Sequence, residues 1–382
     1  MGKYLKLAIC LLFILVFCTS CIVSPGGIVV NAVSNNGVGD ADLLNVLRQV
    51  RNSTKIPAMA AALVTDQGLQ KVAAIGNRRW GTDSPVTIND LWHLGSDTKA
   101  MTATLAAILV EKGKLKWTTT VGQVFPDLAD SFDPGFHDVN LLQLLSHEAG
   151  LPRDLNYGDI NQSISLRDQR LQAVRMAFHE KPLSTPGTKY LYSNIGYIIV
   201  GAMIERVTDS SWETEITQNI FVPLRMGSAG FGGLGTTGKL DQPWGHLMLG
   251  KPALFNGPNA DNPPVIGPAG SVHSTIQDWA RFIEDQLRGA RGESALLLPE
   301  SYQMLQNPHF GGDYAMGWVV ANRDWAGGKA LAHDGSNGMY FADVWIAPER
   351  NFAILVCTNE GPDSFTAADE AIAGIIKIAE NP

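Results

Sequence analysis

The sequence predicts an α/β (α+β) protein: an antiparallel sheet built from both chain ends and flanked by helices, plus an inserted, mostly helical lobe. Three observations predict it. Strand-like runs lie near the two ends of the chain, over 58–75 and 317–358. Between them, from Leu91 to about Glu300, the spacing is mostly helical and is broken by Pro/Gly loops. The chain has 382 residues, 45% hydrophobic and 17% charged, which suits a packed protein large enough for two lobes and a cleft between them.

Taken in order, residues 1–21 read as an export signal. Lys3 and Lys6 precede an apolar run from Leu7 to Phe17, and Cys18-Thr19-Ser20-Cys21 follows. The run is shorter than the roughly 20 residues of a permanent span. Apart from Cys18, the tail resembles a bacterial lipobox. That resemblance makes Cys21 the lipidation site and predicts an exported, envelope or periplasmic protein whose membrane partner is reached through a lipid anchor. Cleavage after Ala32 is the rival. Residues 22–39, with Pro25, Gly26, Gly27, Gly37 and Gly39, read as a flexible tether. The remainder, 40–382, is the functional domain: a sheet lobe over 40–88 and 305–382, and a helical lobe over 89–304.

Within that domain, Leu43, Leu44, Leu47 and Val50 have helical spacing behind a cap at Asp40 or Asp42. Ala58–Thr65 and Leu69–Ile75 read as a hairpin around Asp66-Gln67-Gly68. Strands return at Gly317–Ala321, Ala330–His333, Phe341–Ile346 and Phe352–Thr358. Pro348–Asn351 forms the last turn, and a helix over Phe365–Glu380 closes the chain.

Composition excludes several classes. A net charge of −8 without a Lys/Arg run argues against nucleic acid as a partner. Of four cysteines, Cys10 and Cys18 fall in the signal. A lipidated Cys21 then leaves Cys357, in an apolar strand, buried and unpaired. Gly233–Leu240 nearly matches a phosphate loop, but Leu240 stands where a Mg²⁺-holding hydroxyl belongs. His147-Glu148 opens like a zinc motif, but Leu151 replaces the second histidine, so neither metal nor cofactor is expected.

Three patterns carry chemistry. Ser96 and Lys99 lie three apart where a buried helix begins, on one face, roughly 5–6 Å apart at Cβ. A hydroxyl beside a desolvated amine at a helix N-terminus is an activatable nucleophile; Ser96 is equally a plain N-cap. Tyr192 and Asn194 precede the apolar helix Ile195–Val207. Tyr192 serves as a base if Lys99 lowers its pKa, and Asn194 can hold the lysine and a substrate carbonyl; packing and capping also explain the pair. At the third pattern, His333 to Ser336, Gly335 admits a substrate backbone and the Ser336 N–H joins that of Ser96 as an oxyanion hole; an ordinary Gly-rich turn also fits.

In this order, Ser-x-x-Lys, Tyr-x-Asn and His-x-Gly resemble the serine β-lactamase and penicillin-binding protein superfamily, in the branch of class C β-lactamases, D-Ala-D-Ala carboxypeptidases, D-aminopeptidases and related esterases. The likeness continues through Leu144–Pro152, Pro223–Met226, Gly230–Gly232, Gly267–Gly270, Tyr314–Trp318 and Thr358-Asn359, spanning about Asp42 to Ile378. The resemblance implies a β-lactamase/transpeptidase-like fold, Ser96 as nucleophile, Lys99 as its proton partner and Tyr192 as general base. Asn194, His333, Gly335 and Ser336 then line the substrate site. It implies hydrolysis of D-amino-acid peptides of the cell wall or of small esters, with β-lactamase activity as the alternative and a non-catalytic envelope binding protein as the alternative of another class. His333 stands where class C β-lactamases carry lysine. A histidine titrating near pH 6.5 is expected to read a substrate carboxylate when protonated.

Overall fold

The computed structural model describes residues 37–247, 251–252, 257, 260–293, 295–361 and 364–380. The signal over 1–21, Cys21 and residues 22–36 of the tether lie outside the described residues. Residues 37–39, expected to end the tether, instead pair with 73–75 as an edge strand. Extended backbone beside an open ladder gains hydrogen bonds there.

The strands are β1 (Gly37–Gly39), β2 (Ala58–Thr65), β3 (Gly68–Gly76), β4 (Leu91–His93), β5 (Gly230–Phe231), β6 (His246–Leu247), β7 (Lys251–Pro252), β8 (Val272–Thr275), β9 (Val319–Arg323), β10 (Gly328–Ser336), β11 (Phe341–Ala347) and β12 (Phe352–Thr358). The helices are α1 (Ala41–Thr54), α2 (Thr98–Glu111), α3 (Val121–Val124), α4 (Leu141–Leu145), α5 (Leu166–His179), α6 (Asn194–Thr208), α7 (Trp212–Ile216), α8 (Gly267–Gly270), α9 (Ile276–Ala290), α10 (Pro299–Leu305) and α11 (Phe365–Glu380).

The main sheet has the order β1-β3-β2-β12-β11-β10-β9 and is antiparallel throughout. The first and last segments of the described chain therefore meet at its centre, as expected. Both faces are buried, and alternation assigns each residue to one of them. Met59, Ala61 and Leu63 of β2 pack with Phe352, Ile354 and Val356 under α1 and α11. Ala58, Ala60, Ala62 and Val64 face the opposite way, with Ala353, Leu355 and Cys357, against α9 and the core of the inserted segment. Cys357 is buried and free, as its strand predicted.

Two sequence expectations change. Helix α9 was assigned to the helical lobe, yet it packs on β2, β3 and β12. Its apolar side (Trp279, Phe282, Ile283, Leu287) covers the sheet. The inserted lobe is therefore shorter at its C-terminal end than residues 89–304. That lobe also holds strands: β4-β8-β5 make a small sheet, and β6 pairs with β7. The near-phosphate-loop stretch lies in the connection between β5 and β6, with Gly235 and Gly238 in the left-handed region.

Inside the helical lobe, Arg170 of α5 is fully buried and held by Glu205 of α6 and Glu213 of α7. Burial raises the Glu205 pKa, against the pull of Arg170. Removing one member of a buried ionic cluster leaves desolvated charge behind. Arg170→Ala is expected to lower stability by about 3–5 kcal/mol, read as a lower urea midpoint. Arg206→Ala, which breaks an exposed pair with Asp127, should cost about 1 kcal/mol or less; equal costs would contradict the cluster's role.

Candidate active site

The site forms where the turn that follows β4 of the small sheet packs against β10 of the main sheet. After β4, Leu94 N–H donates to Val272 O, and residues 95–97 make a 3₁₀ turn into α2. Gly95 has φ +51°, and a Cβ there would lie 2.3 Å from Ser336 N. A Cβ on Gly335 would lie 2.0 Å from Leu94 O and 2.6 Å from Ser96 N. The turn and β10 thus cross backbone to backbone. Gly335, expected to admit a substrate backbone, admits this chain's own turn instead. The crossing places Ser96 N and Ser336 N side by side. The Ser336 hydroxyl serves its own turn: it donates to Tyr340 O at 2.6 Å and accepts from Gly338 N–H at 2.9 Å.

Ser96 sits in the turn and Lys99 in the first turn of α2, a helix buried on nearly every side. The fully buried Lys99 Nζ lies 3.0 Å from Ser96 Oγ, 2.8 Å from Asn194 Oδ1 and 2.7 Å from Ala269 O. Burial pulls its pKa down to about 7, against the attraction of Asp154. Asn194 begins α6, whose N-cap is Ser193. Its Nδ2 donates to Asp154 Oδ1 at 2.8 Å, which turns Oδ1 toward the lysine.

Tyr192 O–H donates to Ser96 Oγ at 2.7 Å. The expectation that Lys99 lowers the Tyr192 pKa is overturned: burial pushes it up. Lys99 Nζ lies 4.8 Å from the centre of the Tyr192 ring and is itself near neutrality, so it offers no fixed charge to a phenolate. Lys99 Nζ donates to Ser96 Oγ, Asn194 Oδ1 and Ala269 O, and Ser96 Oγ also accepts from Tyr192 O–H. On losing a proton near pH 7, the amine keeps two N–H donors and gains a lone pair that can accept the Ser96 hydroxyl. Lys99 Nζ and Tyr192 Oη are thus the two titratable groups in hydrogen-bond contact with Ser96 Oγ.

His333 also departs from expectation. It is buried, its Nδ1 lies 3.3 Å from Asp97 Oδ1, and its Nε2 lies 3.1 Å from Tyr314 Oη. Burial, then Lys99, lowers its pKa to about 3, while burial lifts Asp97 well above the carboxylate range. The imidazole is thus a neutral wall and not a cation that reads carboxylates near pH 6.5.

Several neighbours escaped the sequence reading as site residues. His147, in the left-handed region at φ 60°, accepts from Ser193 N–H through Nδ1 and packs 4.4 Å from the Tyr192 ring and 4.7 Å from Tyr314. The Leu144–Pro152 motif was its visible signal. Arg153 and Asp154 follow that motif directly, and Tyr190 and Tyr314 flank the second and third patterns. Two cavities, about 390 and 310 Å³, open on Ser96, Arg153 and Ser336. Asn194 and Asp154 line the first; Tyr190, Tyr192, Tyr314, His333 and Asp334 line the second. A larger cavity of about 680 Å³ lies against α9 and has none of these residues. Among the described residues, no group of three or more His, Cys, Asp or Glu is placed to hold a metal.

Comparison with known proteins accords with this geometry. Penicillin-binding protein 4 of Amycolatopsis lactamdurans is 26% identical over 338 residues, 82% of this chain and 83% of that protein. The unguisins hydrolase ungD' of Aspergillus campestris is 26% identical over 84% of this chain, and protein flp of Staphylococcus aureus 24% over 70%; the chain spans 61% and 52% of their lengths. The solved structure of the octameric penicillin-binding protein homologue from Pyrococcus abyssi shares the fold, with a TM-score of 0.70 at 22% identity, covering 88% of this chain and 77% of that one. The Beta-lactamase family model matches residues 43–376, and the chain therefore belongs to that family, within the serine β-lactamase and penicillin-binding protein superfamily.

Proposed function

We propose that the protein is a serine hydrolase that forms an acyl-enzyme on Ser96. The observation that carries this is the chain from Tyr192 O–H through Ser96 Oγ to Lys99 Nζ, with Lys99 poised near neutrality. In the proposed cycle Ser96 Oγ attacks an ester or amide carbonyl while its proton passes to Lys99. The Ser96 and Ser336 N–H groups hold the oxyanion. The carbon–heteroatom bond breaks, and the proton returns through Tyr192 to the departing alcohol or amine. Water repeats the sequence in reverse to free the acid and Ser96.

Among substrates, we place esters and amides that carry no carboxylate first. Carboxylate-terminated D-amino-acid peptides and β-lactams would gain from a cation at the third pattern, and burial keeps His333 neutral there. The name of the Amycolatopsis relative keeps β-lactams as the second reading. We also propose export with a lipid on Cys21, from the charge and apolar pattern of residues 1–21.

Three outcomes are expected. A fluorophosphonate should add to Ser96, seen by peptide mass spectrometry, and Ser96→Ala should abolish labelling and cut ester hydrolysis at least about a thousandfold; undiminished labelling would move the nucleophile elsewhere, and no labelling of wild type would favour a binding protein. For free Lys99 near 7, protonation removes the base, so kcat/KM for a neutral ester should rise with pH and level off above about 7. Lys99→Arg, permanently charged, should lose about 10²–10⁴-fold and that limb; an unchanged limb would place the titration elsewhere. In a bacterial host, Cys21→Ser should abolish fatty-acid incorporation, and persistent labelling would refute the anchor.

A further inference from the structure

The second cavity at Ser96 has a charge that the hydrolytic chemistry does not use. Beyond Ala332, β10 has no partner in β9, so the edge from His333 to Ser336 borders the cleft. Asp334, the middle residue of the third pattern, lines this cavity and is exposed. Its carboxylate has no ion pair among the described residues and is held by its own backbone N–H. The concavity is nevertheless crowded enough that burial raises its pKa, against the pull of Lys99. Burial raises the Tyr190 and Tyr192 phenols, and the Asp334 charge adds to it. Asp313, also exposed and felt by Tyr190, adds a second anion nearby.

Two cations are close. Arg153 lines the cavity with its guanidinium 5.5 Å from the centre of the Tyr192 ring, and its Nε lies 3.3 Å from Asp154 Oδ2. Lys99 loses its charge near pH 7. That leaves a carboxylate beside tyrosine rings, with Tyr190 and Tyr314 centred 5.5 Å apart. A carboxylate with aromatic faces suits an ammonium group.

The same walls say which half of a substrate enters. A departing alcohol or amine takes its proton from the donor that faces it, and Tyr192 lines this cavity and not the one lined by Asn194. We propose that Asp334, with Tyr190 and Tyr314, forms a subsite for a cationic leaving group, so that the preferred substrates are esters or amides of amine-bearing alcohols or amines. This specificity rests on Ser96 being the acylated residue.

Three phenylacetyl thioesters test it: of thiocholine, of its uncharged isostere 3,3-dimethylbutanethiol, and of 3-mercaptopropionate, with thiol release followed by a disulfide dye. Wild type should favour the cation over the neutral isostere by about tenfold in kcat/KM, with the anion poorest. Asp334→Asn should bring the cation-to-neutral ratio near one, and Asp334→Lys should invert it; the ratio cancels any general loss of activity. A wild-type ratio near one, or a ratio unchanged in both variants, overturns the proposal. A binding measurement covers the case of slow turnover. Choline should protect Ser96 from fluorophosphonate at lower concentration than 3,3-dimethylbutanol, and equal protection overturns the proposal. Labelling of Ser96 without charge preference refutes only the subsite, whereas absence of any Ser96 adduct refutes the acyl-enzyme itself.

Discussion

Everything at this site depends on one close approach, the crossing of the Gly95 turn over the Gly335 edge of β10. A side chain at either position would overlap backbone, at 2.3 and 2.0 Å. The crossing ties the inserted lobe to the main sheet at the point where Ser96 is displayed. It sets two backbone N–H groups next to one hydroxyl and leaves the adjacent edge of β10 open to the cleft. Neither lobe holds the site alone: the sheet contributes β10, and the inserted segment contributes Ser96, Lys99, Tyr192 and Asn194.

The second constraint is electrostatic. Lys99 is buried in α2 with three oxygen neighbours and no carboxylate in contact. Desolvation without an ion partner disfavours the ammonium, which is why its pKa falls to about 7. The same dry surroundings hold the Tyr192 phenol neutral and keep His333 uncharged. Burial thus acts on the two groups in opposite ways. The amine, an ammonium at its ordinary pKa, becomes able to accept a proton near pH 7, while the phenol, already protonated at its ordinary pKa, is held more firmly so.

Much of the fold was legible because it rests on periodicity and turn chemistry. β2 and β12 alternate between two apolar faces, Asp66-Gln67 and Pro348–Asn351 close hairpins, and Asp40 caps α1 through its side chain. The short strands β4, β5 and β8 were not legible, since two to four residues carry no measurable period. Helix α9 fell inside a stretch read only as mostly helical, and helical spacing does not say which lobe an apolar side will cover. At the site, Ser96, Lys99, Tyr192 and Asn194 were legible from spacing, and the structure brings them together. Their protonation was not legible, because it is set by neighbours distant in sequence. His333 is the plainest case: Asp97 and Tyr314 enclose it, and neither can be inferred from the third pattern.

That enclosure also changes what the third pattern means electrostatically. In Lys-x-Gly the first residue supplies a fixed cation to the cleft. Here the first residue is neutral and the second, Asp334, carries a carboxylate at the cleft. Two cations stand nearby, Arg153 paired with Asp154 and Lys99, which gives up its charge around pH 7. Asp343, opposite Asp334 across the β10–β11 ladder, is buried with its pKa raised to about 8, so it stays protonated at neutral pH. Burial favours the proton on Asp343, and repulsion from Asp334 across the ladder raises its pKa further. Of two facing aspartates, the buried one is thus the better proton holder and the exposed one the better anion, a difference made by burial and not by residue type.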